Sequence, residues 1–335
     1  MHKITTRSLP ILLACLMSVS TMGCGGSSSS SDGGVGSLNL SITDAPVDNA
    51  AALWLTLTHV TLNGVEGSSD QGPFEIPEDR QAVNLMEYTG NANAVLVQDV
   101  AVPAGSYKLR LDVDLTFTAS EQKSWIAFAA DADECSEPLP DGAVWSPGEE
   151  TCRYPLTIPS GEQSGFKPKG EILVTAGGVS DFTVEFDLRR NVVNPSNPND
   201  VGYKLKPTGL RLVDETEAGS IAGAVVLEDG CNPESARVYL YDRTGEEGAF
   251  VPDDIHDGNG TYVTSVALTT ETVDDVTDYH YLIGFVPVGG AYAVALTCAD
   301  SDDPELDEEV FPFSLQADGI VVTVSNETTQ DLPSE

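Results

Sequence analysis

From about residue 38 to the end of the chain, short runs rich in Val, Leu, Ile, Thr and Tyr recur between clusters of Gly, Pro, Asn and Asp, and helical periodicity is almost absent. That punctuation leaves no stretch long enough for a packed helical layer. The chain therefore reads as all-β, two β-sandwich-type domains in succession. In the first, strands are expected near 38–43, 53–62, 93–100, 106–118, 123–129, 168–176, 181–189 and 202–213. In 53–62, Leu53, Leu55 and Leu57 share one parity while Val60 and Leu62 take the other. One core face can receive both sets only if an extra residue intervenes, so a bulge is expected near Thr58-His59. The stretch 130–165 is acidic and Pro-rich and reads as a long excursion. The stretch 191–200 reads as a loop because Pro and Asn exclude a central strand.

In the second domain, strands are expected at 219–227, 236–242, 261–268, 279–286, 291–298, 310–315 and 319–325. Asn259-Gly260 and Gly289-Gly290 have the composition of hairpin turns. Charge marks the boundary. The whole chain has 16 basic and 53 acidic residues. Residues 24–211 hold 12 basic and 26 acidic ones, residues 212–335 only 2 and 27. Such a balance excludes nucleic acid as a partner and suits either solubility or binding of divalent cations. Beyond Cys15 and Cys24, four cysteines remain as Cys135/Cys152 and Cys231/Cys298, one pair on each side of the charge break. Pairing within each domain is the simplest of three connectivities. No CxxC spacing or nearby histidine supports zinc.

The N-terminus carries an address. His2, Lys3 and Arg7 precede an apolar run, Leu9 to Val19, about half the length needed to span a bilayer. Thr21-Met22-Gly23-Cys24 then resembles the lipobox of bacterial lipoproteins, which implies lipidation of Cys24 as the mature N-terminus. Residues 25–36 are a Gly/Ser-rich flexible tether. The expected organisation is signal peptide 1–23, lipidated Cys24 and linker 24–36, a first domain 37–213 and an acidic second domain 214–335. Gly25 in place of an aspartate implies, by analogy, the outer rather than the inner membrane. Several acyl chains would anchor stably, at about 0.8 kcal/mol per buried CH₂.

Two further resemblances have named residues behind them. Ser41-Ile42-Thr43-Asp44-Ala45-Pro46-Val47-Asp48, Leu55-Thr56-Leu57-Thr58-His59-Val60, Val102-Pro103-Ala104-Gly105-Ser106-Tyr107, Phe186-Asp187-Leu188-Arg189-Arg190 and Gly202-Tyr203-Lys204-Leu205-Lys206-Pro207 fall in the order found in the bacterial family known as domain of unknown function 4382. That resemblance implies a surface or periplasmic lipoprotein and brings no activity with it. Gly219-Ser220-Ile221-Ala222-Gly223, Ala236 to Leu240 and Phe285 to Tyr292 are similar to transthyretin-like, carboxypeptidase-regulatory sandwiches, which are mostly structural or binding units.

Candidate ligand residues each have a structural alternative. Asp44 would either face a ligand or close its own turn. Asp187, Arg189 and Arg190, placed on one strand with Lys204, Lys206 and Arg211 nearby in sequence, would hold an anionic sugar or a partner's carboxylates, or else form an internal salt-bridge ladder. Asp300, Asp302, Asp303, Glu305 and Asp307 would bind Ca²⁺ or remain a solvated loop, as would Asp253, Asp254, Asp257 and Asn259. Trp145 is the aromatic best placed to stack on a sugar, with Trp54 and Trp125 expected in the core. His59, His256 and His280 lie in no catalytic motif. The expectation is a non-catalytic surface binding or adhesion module, Ca²⁺-stabilised where the acidic loops bind the ion, with polysaccharide or envelope protein as partner. The alternatives are an accessory subunit of an envelope transport or hydrophobic-substrate uptake system and, third, a glycan-active enzyme.

Overall fold

The computed structural model describes residues 34–45, 50–136, 139, 142–144, 150–159, 161–194, 202–256, 261–273, 276–299, 302–307 and 311–332. Cys24, Trp145, Asp300 and the pair Asn259-Gly260 lie outside them. The fold is all-β, as the punctuated sequence requires. The first thirteen strands are β1 Val35–Ala45, β2 Ala50–Val65, β3 Gln71–Glu75, β4 Ala82–Asn84, β5 Ala94–Pro103, β6 Gly105–Asp114, β7 Trp125–Ala129, β8 Thr151–Thr157, β9 Ile172–Val174, β10 Val179–Asp187, β11 Val192–Val193, β12 Tyr203–Leu205 and β13 Leu210–Asp214. They form one sheet in the order β13-β10-β1-β5 and a second in the order β11-β12-β8-β7-β2-β6-β9, with β3 and β4 also paired to β2.

The long strand β2 organises the second sheet. Its pairing with β6 slips between Leu57 and His59, which is the bulge that lets Leu53, Leu55, Leu57, Val60 and Leu62 all reach the core. There they meet Leu38, Leu40 and Ile42 of β1, Phe182, Val184 and Phe186 of β10, and Tyr107, Leu109 and Leu111 of β6. Burial of each such leucine contributes about 2 kcal/mol. Strands β6 and β7 follow one another along β2, with 115–124 extruded between them.

The remaining strands are β14 Ala218–Val225, β15 Arg237–Asp242, β16 Tyr262–Ala267, β17 Thr269–Val273, β18 Val276–Pro287, β19 Ala291–Thr297, β20 Leu315–Val321 and β21 Glu327–Thr329. They make two four-stranded sheets, β17-β18-β14-β21 and β16-β15-β19-β20. Ile221, Tyr281 and Ile283 of the one pack with Val238, Leu240, Val294 and Leu296 of the other. Tyr239 and Tyr241, on the opposite face of β15, build a separate aromatic layer with Phe250, Ile255, Tyr262 and Phe311. A central strand buried on both faces reads as a continuous apolar run, which is what Val238 to Tyr241 is.

Several expectations are corrected. The strand expected over 181–189, and with it Arg190, ends at Asp187, and Leu188–Asn191 is a helical turn, α1, capped by the Asp187 carboxylate, which accepts from the Arg190 backbone N–H. The expected strand 202–213 is two strands, β12 and β13, because Pro207–Gly209 turns the chain between them. The excursion 130–165 contains β8. Strands β3, β4, β11, β17 and β21 were not expected, and one strand, β20, replaces the pair 310–315 and 319–325. Gly289-Gly290 is not a hairpin turn: it carries the chain from β18 in one sheet to β19 in the other. Trp54 and Trp125 are half-buried, with ring centroids 6.1 Å apart, and the Arg153 guanidinium lies 4.9 Å from the Trp125 ring. Cysteines pair as Cys135–Cys152 and Cys231–Cys298, 17 and 67 residues apart. Loop closure of those lengths stabilises by about 3 and 4 kcal/mol in the chain-entropy model.

Candidate functional site

Two places in the molecule concentrate ionisable side chains, one sealed and one open. The sealed one starts from the parallel pairing of β1 with β10, which sets Thr43 beside Glu185 and Ala45 beside Asp187. Alternation sends Phe182, Val184 and Phe186 into the first core, while Thr183, Glu185 and Asp187 take the opposite parity. A sheet face of that kind is ordinarily wet, yet all three are buried. Tyr262 and Thr264 of β16 lie against Asp187 and Glu185, and Thr183 donates to Glu215.

Glu185 forms an ion pair with Arg211, its neighbour on β13, and across this join contacts Thr264 of β16. Asp187 contacts Tyr262, and the Arg190 guanidinium sits 5.5 Å from the Tyr262 ring. Arg189 donates to the Tyr239 hydroxyl, and its guanidinium carbon lies 5.0 Å from that ring. Tyr239 Oη donates to Asp302 Oδ2 at 2.6 Å, and the Ile255 backbone N–H donates to the same oxygen at 3.0 Å. Burial pushes the Asp187 carboxyl up to about 7, opposed by the Tyr262 hydrogen bond. Burial likewise raises Glu185 against the pull of Arg211, and Asp302 against its bond from Tyr239. It also holds the Tyr239 and Tyr262 phenols well above their ordinary range, so both remain neutral donors. The free space beside Thr43, Asp44, Glu185 and Thr264 measures about 10 Å³, the threshold for a single water and too small for a substrate.

The open site lies on the outer side of the second sheet. Lys108 and Arg110 alternate with the buried Tyr107, Leu109 and Leu111 along β6. Facing them, Lys167 and Lys169 alternate with the buried Phe166 and Pro168. These four cations, with Asn63, Leu109, Pro168 and Gly170, line a groove of about 650 Å³ that no carboxylate lines.

The sequence-derived candidates distribute between these places and elsewhere. Asp187, Arg189 and Asp302 belong to the sealed join, and Asp44 is buried beside it. Arg190 stacks on Tyr262. Lys206 pairs with Glu305 at 2.7 Å, and half-buried Lys204 lies beside it on β12. The described members of the acidic run do not converge. Asp302 points inward, Asp303 Oδ1 accepts from the Glu305 backbone N–H at 2.8 Å, and Asp307 is exposed. Among the described residues no three His, Cys, Asp or Glu side chains come together as metal ligands. The physical reason is the aromatic layer: Tyr239 takes the Asp302 carboxylate into its own hydrogen bond, and Lys206 takes Glu305. Lys108, Arg110, Lys167 and Lys169 were missed by sequence reasoning. Their signal, cations alternating with apolar residues in Tyr107 to Leu111 and Phe166 to Lys169, was present in two segments far apart in the chain.

No helix of the described residues is long and apolar enough to cross a membrane. No curated protein matches the chain in sequence. Among solved structures, the chain is similar to a point variant of the major pilin of Streptococcus pyogenes, at 8% identity over 90% of this chain and 99% of that one, with a TM-score of 0.15. It is also similar to a candidate adhesin from Bacteroides ovatus, at 10% identity over 94% and 98%, with a TM-score of 0.18. At such scores neither likeness bears on fold or function. The family model described as domain of unknown function (DUF4382) matches residues 35–207, which take in β1 through β12 and the whole of the cationic groove. The chain belongs to that family.

Proposed function

We propose that this protein is an exported, lipid-anchored module that holds a partner on its outer surface and does not transform it. The carrying observation is the division of its charged groups. The perturbed carboxyls and phenols that would otherwise point to catalysis are committed to one another at a join with no room for a substrate, whereas three lysines with no ion pair among the described residues stand, with Arg110, in an open groove. In this reading Cys24 carries the lipid, the outer membrane is the address, and residues 25–36 hold the folded part off the bilayer. The C-terminal sandwich acts as a transthyretin-like support locked to the first by Arg189, Tyr239 and Asp302. Polysaccharide or an envelope protein is the partner.

The test uses the mature, full-length protein displayed on liposomes through its own N-terminus. Incorporation of labelled palmitate should be lost in Cys24→Ser, and the liposomes should capture intact cells or purified envelope polysaccharide. Failure to capture either, with the protein folded and displayed, overturns the reading. Co-purification with a membrane protein complex and no affinity for glycan would instead establish the role of accessory subunit.

A further inference from the structure

We propose that the groove between β6 and residues 165–170 binds an acidic oligosaccharide, its carboxylate or sulfate groups held by Lys108, Arg110, Lys167 and Lys169. The proposal rests on the reading of the chain as a surface binding module and names the ligand class.

Charge makes the first argument. With 53 acidic residues against 16 basic ones, each cation has several potential partners. Arg110 takes one, Asp112 at 3.0 Å. Lys108, Lys167 and Lys169 make no ion pair among the described residues, although Asp112 and Glu171 are close in sequence. Glu171 instead accepts from Ser106 Oγ at 2.6 Å. A quarter of the chain's cations thus share one groove whose lining includes no acid, and only Arg110 among them is ion-paired. That pattern fits an anionic ligand better than a solubilising surface.

Backbone makes the second. Both walls are fixed before any ligand arrives. Phe166 and Leu111 exchange backbone hydrogen bonds at 2.8 and 2.9 Å, and Lys169 and Leu212 are joined at 3.2 Å. Gly165 and Gly170 have φ of +59° and +121°, conformations that let the segment turn at each end and lie along β6. Lys108 and Arg110 therefore project from a strand, and Lys167 and Lys169 from a segment bridged to its neighbours at Phe166 and Lys169, which lowers the ordering cost of binding.

Size and chemistry make the third. A volume of about 650 Å³ sits within the range of roughly 300–1,000 Å³ typical of ligand clefts. It is open and lined by cations from two segments, Lys108 and Arg110 on one and Lys167 and Lys169 on the other. Asn63 adds an amide, and Pro168 an apolar edge. A nucleic acid is disfavoured, because its dense charge meets the field of a chain with net charge −37.

The experiment measures binding of the full mature protein to fluorescent uronic-acid oligomers, a sulfated hexasaccharide, neutral dextran oligomers and a single-stranded oligodeoxynucleotide, at low salt and at about 0.15 M salt. Binding to the uronate or the sulfated probe, falling with salt, with none to dextran, is expected; the two acidic arms identify which group is held. Lys167→Gln with Lys169→Gln should weaken binding about tenfold, and Lys108→Gln should weaken it less. Lys123→Gln, which removes a surface cation paired to Glu121 elsewhere, should leave affinity unchanged. These side chains are exposed or half-buried, and thermal unfolding of each variant verifies that it is folded. The proposal is overturned if neither acidic probe binds at low salt, if the lysine variants bind as well as the wild type, or if the oligodeoxynucleotide binds more tightly than both. Should wild-type liposomes capture cells while no probe binds, the groove assignment alone falls. Should the probe bind while capture fails, the surface role falls and the groove stands.

Discussion

At the scale of single residues, Asp187 and Tyr239 govern the join. Asp187 is raised above its ordinary value, so the folded state holds its proton more tightly than the unfolded chain does. Stability from this group is complete below the ordinary aspartate value and is lost as pH rises towards about 7. Chemical denaturation of Asp187→Asn should therefore show a flatter pH dependence between about 4 and 7 than the wild type. A profile of unchanged slope would remove Asp187 from the account. Tyr239→Phe keeps the ring under Arg189 and removes the hydroxyl that joins Arg189 to Asp302. It should cost about 1–3 kcal/mol, read as a lowered midpoint in urea, because Asp302 remains buried with one donor fewer.

At the scale of elements, the contact of β18 with the turn at Gly90 decides how closely the two sandwiches approach. A Cβ on Gly284 would lie 2.1 Å from the Gly90 carbonyl oxygen and 2.6 Å from Asn91 Oδ1. Backbone cannot yield as a flexible side chain does. Gly284→Ala should accordingly lower stability by about 1–3 kcal/mol and open residues 215–218 to protease, a combination measured by thermal unfolding and limited proteolysis. Gly290, which a Cβ would bring no nearer than 2.8 Å to a threonine hydroxyl, is the control expected to change less. The helical turn α1 belongs to this scale as well. Its cap, the Asp187 carboxylate accepting from the Arg190 backbone N–H, was legible as an Asp immediately before the turn, but the β-branched run upstream carried the strand reading past it.

At the scale of the whole molecule, a net charge of −37 acts against compaction. Raising salt screens that repulsion, so the melting temperature should rise between about 0.01 and 0.5 M NaCl, while binding in the cationic groove weakens over the same range. Opposite responses to salt distinguish global repulsion from local recognition. If both moved together, the groove's charge would not be the source of binding.

The all-β class, the leucine parity switch in β2 and its bulge, and the family resemblance followed from residue order alone. Each depends on local periodicity or on contiguous motifs. The burial of Thr183, Glu185 and Asp187 did not follow, since their parity reads as a wet sheet face until β16 is laid over it. The same holds for Asp302, drawn out of an acidic loop by a tyrosine 63 positions away. The groove was half legible: two alternating cationic segments were visible, but only the bridging of Phe166 to Leu111 sets them on facing walls. Periodicity tells which way a side chain leaves its strand, and packing alone tells what it meets there.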